Sequence, residues 1–108
     1  MIEVRLYRDV SNSFDGVVEV SGHSSSKKNE DIVCAAVSAL VQMLAVGVRN
    51  VLKLSAEVRI EDGFARISPA VSTSPAEREK WFVLVESFRI SILGFQKKYP
   101  DRVKVIEL

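Results

Sequence analysis

Apolar and polar residues alternate from Ile2 to Arg8, which predicts a strand with every second side chain turned toward a core. Asn12 to Gly16 has the composition of a turn, and Val17 to Ser21 alternates less cleanly, so the two apolar segments read as a hairpin. From Ile32 to about Leu52 the period changes to that of a helix, with Asp31 placed to cap it. Apolar residues cover most of this helix's circumference, so it needs cover both from a sheet and from something else, either another helix or another subunit. Val58 and Ile60 then alternate with Glu57, Arg59 and Glu61, Asp62-Gly63 gives a turn, and Phe64 to Ser68 resumes alternation, which predicts a second hairpin.

Ser74-Pro75-Ala76-Glu77 offers an N-cap, a proline at the first helical position and a capping-box glutamate. The helix it starts should run to about Tyr99, where Pro100 stops it, with Trp81, Leu84, Val85, Phe88, Ile92, Phe95 and Tyr99 forming one apolar stripe that belongs to the core. Arg102 to Leu108 returns as a strand. The order is ββαββαβ, an α+β fold with two helices against a mostly antiparallel sheet. No repeat, linker or low-complexity tract beyond Ser24 to Asn29 divides residues 1–108, so a single domain is expected.

Composition narrows the class. The chain has 108 residues, 47% apolar and 27% charged, as an ordinary globular domain does. It is small for an enzyme that must enclose its substrate, so a site at the surface or shared between subunits is expected. Fifteen basic and fourteen acidic side chains nearly cancel, leaving Lys27-Lys28 and Lys97-Lys98 as short basic pairs and no electrostatic footprint for nucleic acid. Ile32 to Val48 is apolar enough to raise the question of a membrane span, but Ser38, Gln42 and Gly47 interrupt it, and a buried core helix is the better reading. One cysteine forms no internal disulfide, and the chain opens into strand-like residues without a signal-peptide pattern, so a cytoplasmic location is expected.

The only histidine and the only cysteine, His23 and Cys34, stand eleven residues apart across a Ser/Lys/Asn stretch, with Cys34 in the first turn of the expected helix. An ordinary thiol, with a pKa near ~8.5, is only a few per cent thiolate at neutral pH. Bringing that pKa to about 7 takes roughly 2 kcal/mol, more than the ~0.3–1 kcal/mol a helix dipole contributes. A histidinium within hydrogen-bond reach supplies the remainder and can then protonate a leaving amine. One His and one Cys fall short of a zinc site's four ligands, so no metal or other cofactor is assigned.

Gly22-His23 followed by Asp31-Ile32-Val33-Cys34-Ala35-Ala36-Val37-Ser38 resembles the signature of the bacterial ribosomal-processing cysteine protease family, Prp. Chain length and element order agree as well. The resemblance implies an endopeptidase that removes a short N-terminal extension from bacterial large-subunit ribosomal protein 27, cutting after a phenylalanine in a short apolar motif. His23 and Cys34 match the family's catalytic dyad, Gly22 the glycine beside the histidine, and Asp31 and Ser38 the other motif positions. The family's members are homodimers, which would account for the second apolar surface of the first helix. Asn29-Glu30 depart from the pattern, standing where the family carries glycines in a loop about one residue longer.

Each residue has a plainer use beside the sharp one. Cys34 can be a buried small hydrophobe, Asp31 a helix cap that only secondarily orients His23, and Ser24 to Asn29 a solvated loop instead of a lid. Ser38 can line the site or bond back to the Cys34 carbonyl. The rival function is a non-enzymatic ribosome-associated module whose Gly22–Cys34 segment contacts peptide or RNA.

Overall fold

The computed structural model describes residues 1–7, 16–22, 28–70 and 74–108. Among the described residues, five strands and two helices appear in the expected order: β1 (Ile2–Tyr7), β2 (Val17–Ser21), α1 (Lys28–Val46), β3 (Ala56–Glu61), β4 (Phe64–Pro69), α2 (Pro75–Lys98) and β5 (Val103–Glu107). The sheet order is β3-β4-β2-β1-β5, antiparallel except where β5 lies parallel to β1. The expected Asn12–Gly16 turn falls outside the described residues except for Gly16, whose φ is +70°.

Connectivity puts both helices on one face. α1 joins β2 to β3 and α2 joins β4 to β5, and in each case the two strands are parallel, with other strands between them. The two crossovers run in opposite directions along the sheet, on strands of opposite sense. Two right-handed crossovers related in that way are superposed by a half-turn about the sheet normal, so their helices share a face. The other face carries no helix among the described residues, and there the cross-strand partners Glu19 and Arg66 form a 2.8 Å ion pair.

Strand alternation supplies the core. Ile2, Val4 and Leu6 of β1, Val18 and Val20 of β2, and Ala65 and Ile67 of β4 are buried under the helices. From α1 come Val33, Val37, Val41, Leu44 and Ala45, and from α2 Trp81, Val85, Phe88 and Ile92, with Leu84, Phe95 and Tyr99 packed partly against them. The predicted stripe on α2 is therefore core. Trp81 donates its indole N–H to the Gly16 carbonyl at 3.0 Å, which satisfies its one polar atom inside the core.

α2 begins as its sequence dictates. Ser74 Oγ accepts the Glu77 N–H at 3.3 Å, and Glu77 Oε1 accepts the Ser74 N–H at 3.0 Å, with Pro75 at the first helical position. Ser74→Ala should lower stability by about 1 kcal/mol, read as a shift in the denaturant midpoint. An unchanged midpoint would show that the cap contributes nothing net.

The start of α1 differs from expectation. The helix opens at Lys28, so Lys28 and Asn29 belong to it, Asp31 is its fourth residue and not its cap, and Cys34 is its seventh, in the second turn. Glu30 and Asp31 favour a first turn electrostatically as readily as Asp31 favours a cap, so the acidic cluster did not fix which role was taken.

The other end of the helix widens into a π-turn over Gly47–Val51, with the Leu52 N–H bonded to the Gly47 carbonyl at 2.8 Å. Gly47 lets α2 approach closely, since a Cβ there would lie 2.7 Å from Leu84 Cδ1. The apolar helical stretch Ile32–Val51 is 20 residues, long enough to cross a membrane by length and composition, yet its inner face is packed on the sheet. Its outer face is not covered: Ile32 is 65% and Val51 72% exposed.

Candidate active site

A groove of about 300 Å³ runs between α1 and the β3–β4 end of the sheet. It exists because α1 covers β2 and β4 but stops short of the edge strand, leaving Ile60 47% exposed where its cross-strand partner Ala65 is buried. Its floor is the row Val20, Ala65 and Ile60 together with Ile2. The wall comes from α1, where Cys34, Ser38 and Gln42 succeed one another a helical turn apart, with Val37 and Val41 below them. The β3–β4 turn, Glu61-Asp62-Gly63, forms the rim.

Cys34 is half-buried: its body packs on the core while it lines the groove. A thiol in that position is held in one place and still reached by a ligand, unlike an inert buried cysteine. Its place in the second turn removes one expected advantage. The free N–H groups of α1 are those of residues 28–31, roughly 4.5–9 Å back along the axis from Cys34. The Cys34 N–H is within the helical ladder and is not one of the free donors of the helix start, and the dipole fades after the first turn.

Ser38 is exposed, lines the groove and makes no hydrogen bond among the described residues, so its hydroxyl does not bond back to Cys34. Ser87 shows the other behaviour on α2, where Oγ donates to the Val83 carbonyl at 2.7 Å. Sequence alone left both outcomes open.

Gly22 is fixed from two sides. Its N–H donates to the Gly63 carbonyl at 3.0 Å, its φ is +92°, and a Cβ on it would overlap the Met1 carbonyl oxygen. Only glycine fits this close approach. The residue preceding His23 is thus anchored jointly by the first residue of the chain and by the rim of the groove. His23 itself, most of the Ser24–Asn29 stretch and the side chain of Asp31 lie outside the described residues.

The rim is acidic. Arg59 donates to Glu61 Oε1 at 2.9 Å and to Oε2 at 3.2 Å, and this pairing holds the Glu61 carboxyl below the usual carboxylate range, so it stays ionised to lower pH than an isolated glutamate. No group of three or more His, Cys, Asp or Glu side chains gathers among the described residues to suggest a metal centre.

A lone accessible cysteine on the wall of an apolar groove gives a thiol nucleophile a place to meet a peptide, and comparison with known proteins gives the family. The chain belongs to the cysteine protease Prp family, whose sequence model matches residues 1–104. That sets aside the reading of the chain as a non-enzymatic binding module. No curated protein sequence matches.

Among solved structures, the chain is similar to SMU.848 from Streptococcus mutans, at 26% identity and a TM-score of 0.79, covering 100% of this chain and 96% of that one. It shares its fold with the essential ribosomal processing protease Prp from S. aureus. In complex with a substrate peptide, that protein gives 16% identity, full coverage of both chains and a TM-score of 0.83. With a covalently linked product peptide it gives 16%, full coverage and 0.82.

Proposed function

We propose that this cysteine protease acts in the cytoplasm as a ribosomal-processing endopeptidase, removing a short N-terminal extension from bacterial large-subunit ribosomal protein 27. The observation that carries the reading is Cys34 on the wall of an open, mostly apolar groove in a chain of this family. A floor of Ile2, Val20, Ala65 and Ile60 suits an extended peptide with a bulky apolar side chain such as phenylalanine next to the cut.

Cys34 is the nucleophile and His23 the acid and base. The thiolate sulfur attacks the scissile carbonyl carbon, and the C–N bond breaks as His23 delivers its proton to the leaving amine. A thioester to Cys34 remains. His23 then takes a proton from water, whose oxygen attacks the thioester carbonyl and expels the thiolate. Ser38 Oγ, about 5–6 Å along the helix face from Cys34, is a donor for the oxyanion in both steps. Asp31, in the first turn of α1, orients His23.

The protein works as a homodimer. On the outer faces of the helices, Ile32 and Val46 of α1, Val51 of the π-turn, and Phe82, Val83 and Ile90 of α2 are exposed apolar side chains. A second copy seated on them would bury that area. Val46→Asp should convert a dimer to a monomer by sedimentation equilibrium; a monomeric parent protein would remove the dimer from this reading.

The test of function is incubation with a peptide spanning the N-terminus of that ribosomal protein, followed by mass spectrometry. Cleavage at one bond, on the carboxyl side of a phenylalanine, is expected. No cleavage by folded protein whose thiol reacts with iodoacetamide would reject this substrate.

A further inference from the structure

Gln42 occupies a position on the groove wall that the mechanism above does not use. It lies two turns beyond Cys34 and one beyond Ser38 on the same face of α1, lines the groove, is exposed, and its side-chain amide makes no hydrogen bond among the described residues. The groove floor beside it is apolar, since Val20, Ala65 and Ile60 present no donor or acceptor from their side chains, and the polar side chains Glu61 and Asp62 stand on the rim. Gln42 also borders the apolar groove on the outer side of α1 with Met43 and Val46, but a peptide that covers its amide on the Cys34 side satisfies that amide only by pairing with it, because an amide covered without a partner is costly.

We propose that Gln42 is a specificity-determining residue that grips the backbone of the substrate three or four residues from the scissile bond. This rests on the reading of the groove as the peptide site with Cys34 at the reacting carbonyl. The spacing follows from geometry. Eight residues of helix advance about 12 Å, and an extended chain advances about 3.3 Å per residue, so the Gln42 amide meets the third or fourth residue along.

A primary amide carries a donor and an acceptor side by side, and one residue of an extended peptide presents its N–H and C=O on the same edge. The match is to backbone, so side-chain identity at that position is tolerated while two features are not. A proline there lacks the N–H, and a helical or turned segment withdraws both groups. The groove therefore selects an extended, non-proline residue at a fixed distance from the cut, supplementing the apolar pocket beside Cys34.

The experiment uses Cys34→Ala protein, in which binding is separated from chemistry, and the ribosomal-protein peptide made as a series with one N-methylated amide at a time. Fluorescence anisotropy gives affinity for Cys34→Ala and for Cys34→Ala/Gln42→Ala. Adding Gln42→Ala should weaken the unmodified peptide about three- to tenfold. N-methylation at the third or fourth residue on one side of the cut should weaken binding to Cys34→Ala similarly, and that penalty should vanish when Gln42 is absent.

Equal affinity of the two proteins, or an N-methyl penalty that persists without Gln42, would overturn the proposal while leaving the protease reading intact. Absence of any peptide binding by both proteins would overturn the groove as the peptide site and the proposal with it. Wild-type protein that fails to cleave a peptide it binds, with the Gln42 pattern present, would reject the proposed reaction and keep the role of Gln42.

Discussion

Cys34→Ala should lower kcat/KM for peptide cleavage by about 10⁴-fold or more and leave the fold standing. The chemical half of this expectation follows from the absence of an alternative: Cys34 is the only cysteine, and no other described side chain on the groove wall is a comparable nucleophile at neutral pH, because Ser38 has no base hydrogen-bonded to it. The structural half follows from position. Cys34 packs partly against the core but is not one of its fully buried side chains, so losing the sulfur removes a modest contact, about 1 kcal/mol or less. Cys34→Ser refines the result, since it keeps the shape and a polar hydrogen but not the thiolate, and should be nearly as inactive. Mass spectrometry of the product and a thermal melt on the same samples check both halves. Cleavage by Cys34→Ala at a comparable rate would remove Cys34 from the mechanism.

How much of this was legible beforehand depends on whether the signal was local. The α2 start was written in four consecutive residues, Ser74 to Glu77, and the capping box is there. The strands announced themselves by alternation and fall within a residue or two of their expected ends. The parallel pairing of β5 with β1 was not visible, because alternation records which face a side chain takes and says nothing about the direction of the neighbouring strand. The α1 start differs for another reason: Glu30 and Asp31 satisfy a helix terminus in either of two registers, and a shift of four residues, from Ile32 to Lys28, moves Cys34 from the first turn to the second.

The candidate site was legible where it depends on rare residues and opaque where it depends on ordinary ones. A single cysteine and a single histidine draw notice in any chain. The Gly22 anchor required knowing that Met1 and Gly63, 21 and 41 positions away, converge on one residue. Gln42 was seen only as an interruption in an apolar helix, although its spacing from Cys34 and Ser38 already put all three on one face. What sequence withheld was the incomplete cover of β3 by α1, the feature that turns that face into a groove wall.

Gly22→Ala should cost about 10²-fold in kcat/KM, the largest loss expected from any residue outside the reacting groups. An L-residue held at φ +92° is strained by roughly 1–2 kcal/mol, and here the new Cβ also overlaps the Met1 carbonyl oxygen, a backbone atom that moves only if β1 moves. The chain can relieve the overlap by rotating away from Met1, but this breaks the 3.0 Å bond to the Gly63 carbonyl and redirects the chain leading into His23. A base displaced by about 1 Å loses its line to sulfur and leaving nitrogen, and rate falls far more than stability. Gly94→Ala is the control: a Cβ there meets nothing within 4 Å, so stability should hold or rise by a few tenths to about 1 kcal/mol and activity should not change. A Gly22→Ala protein that loses stability but keeps its kcat/KM would make Gly22 a structural residue with no part in placing His23. One that keeps both would mean that β1 yields at Met1 without cost, and the anchor would then have to be sought elsewhere on the rim.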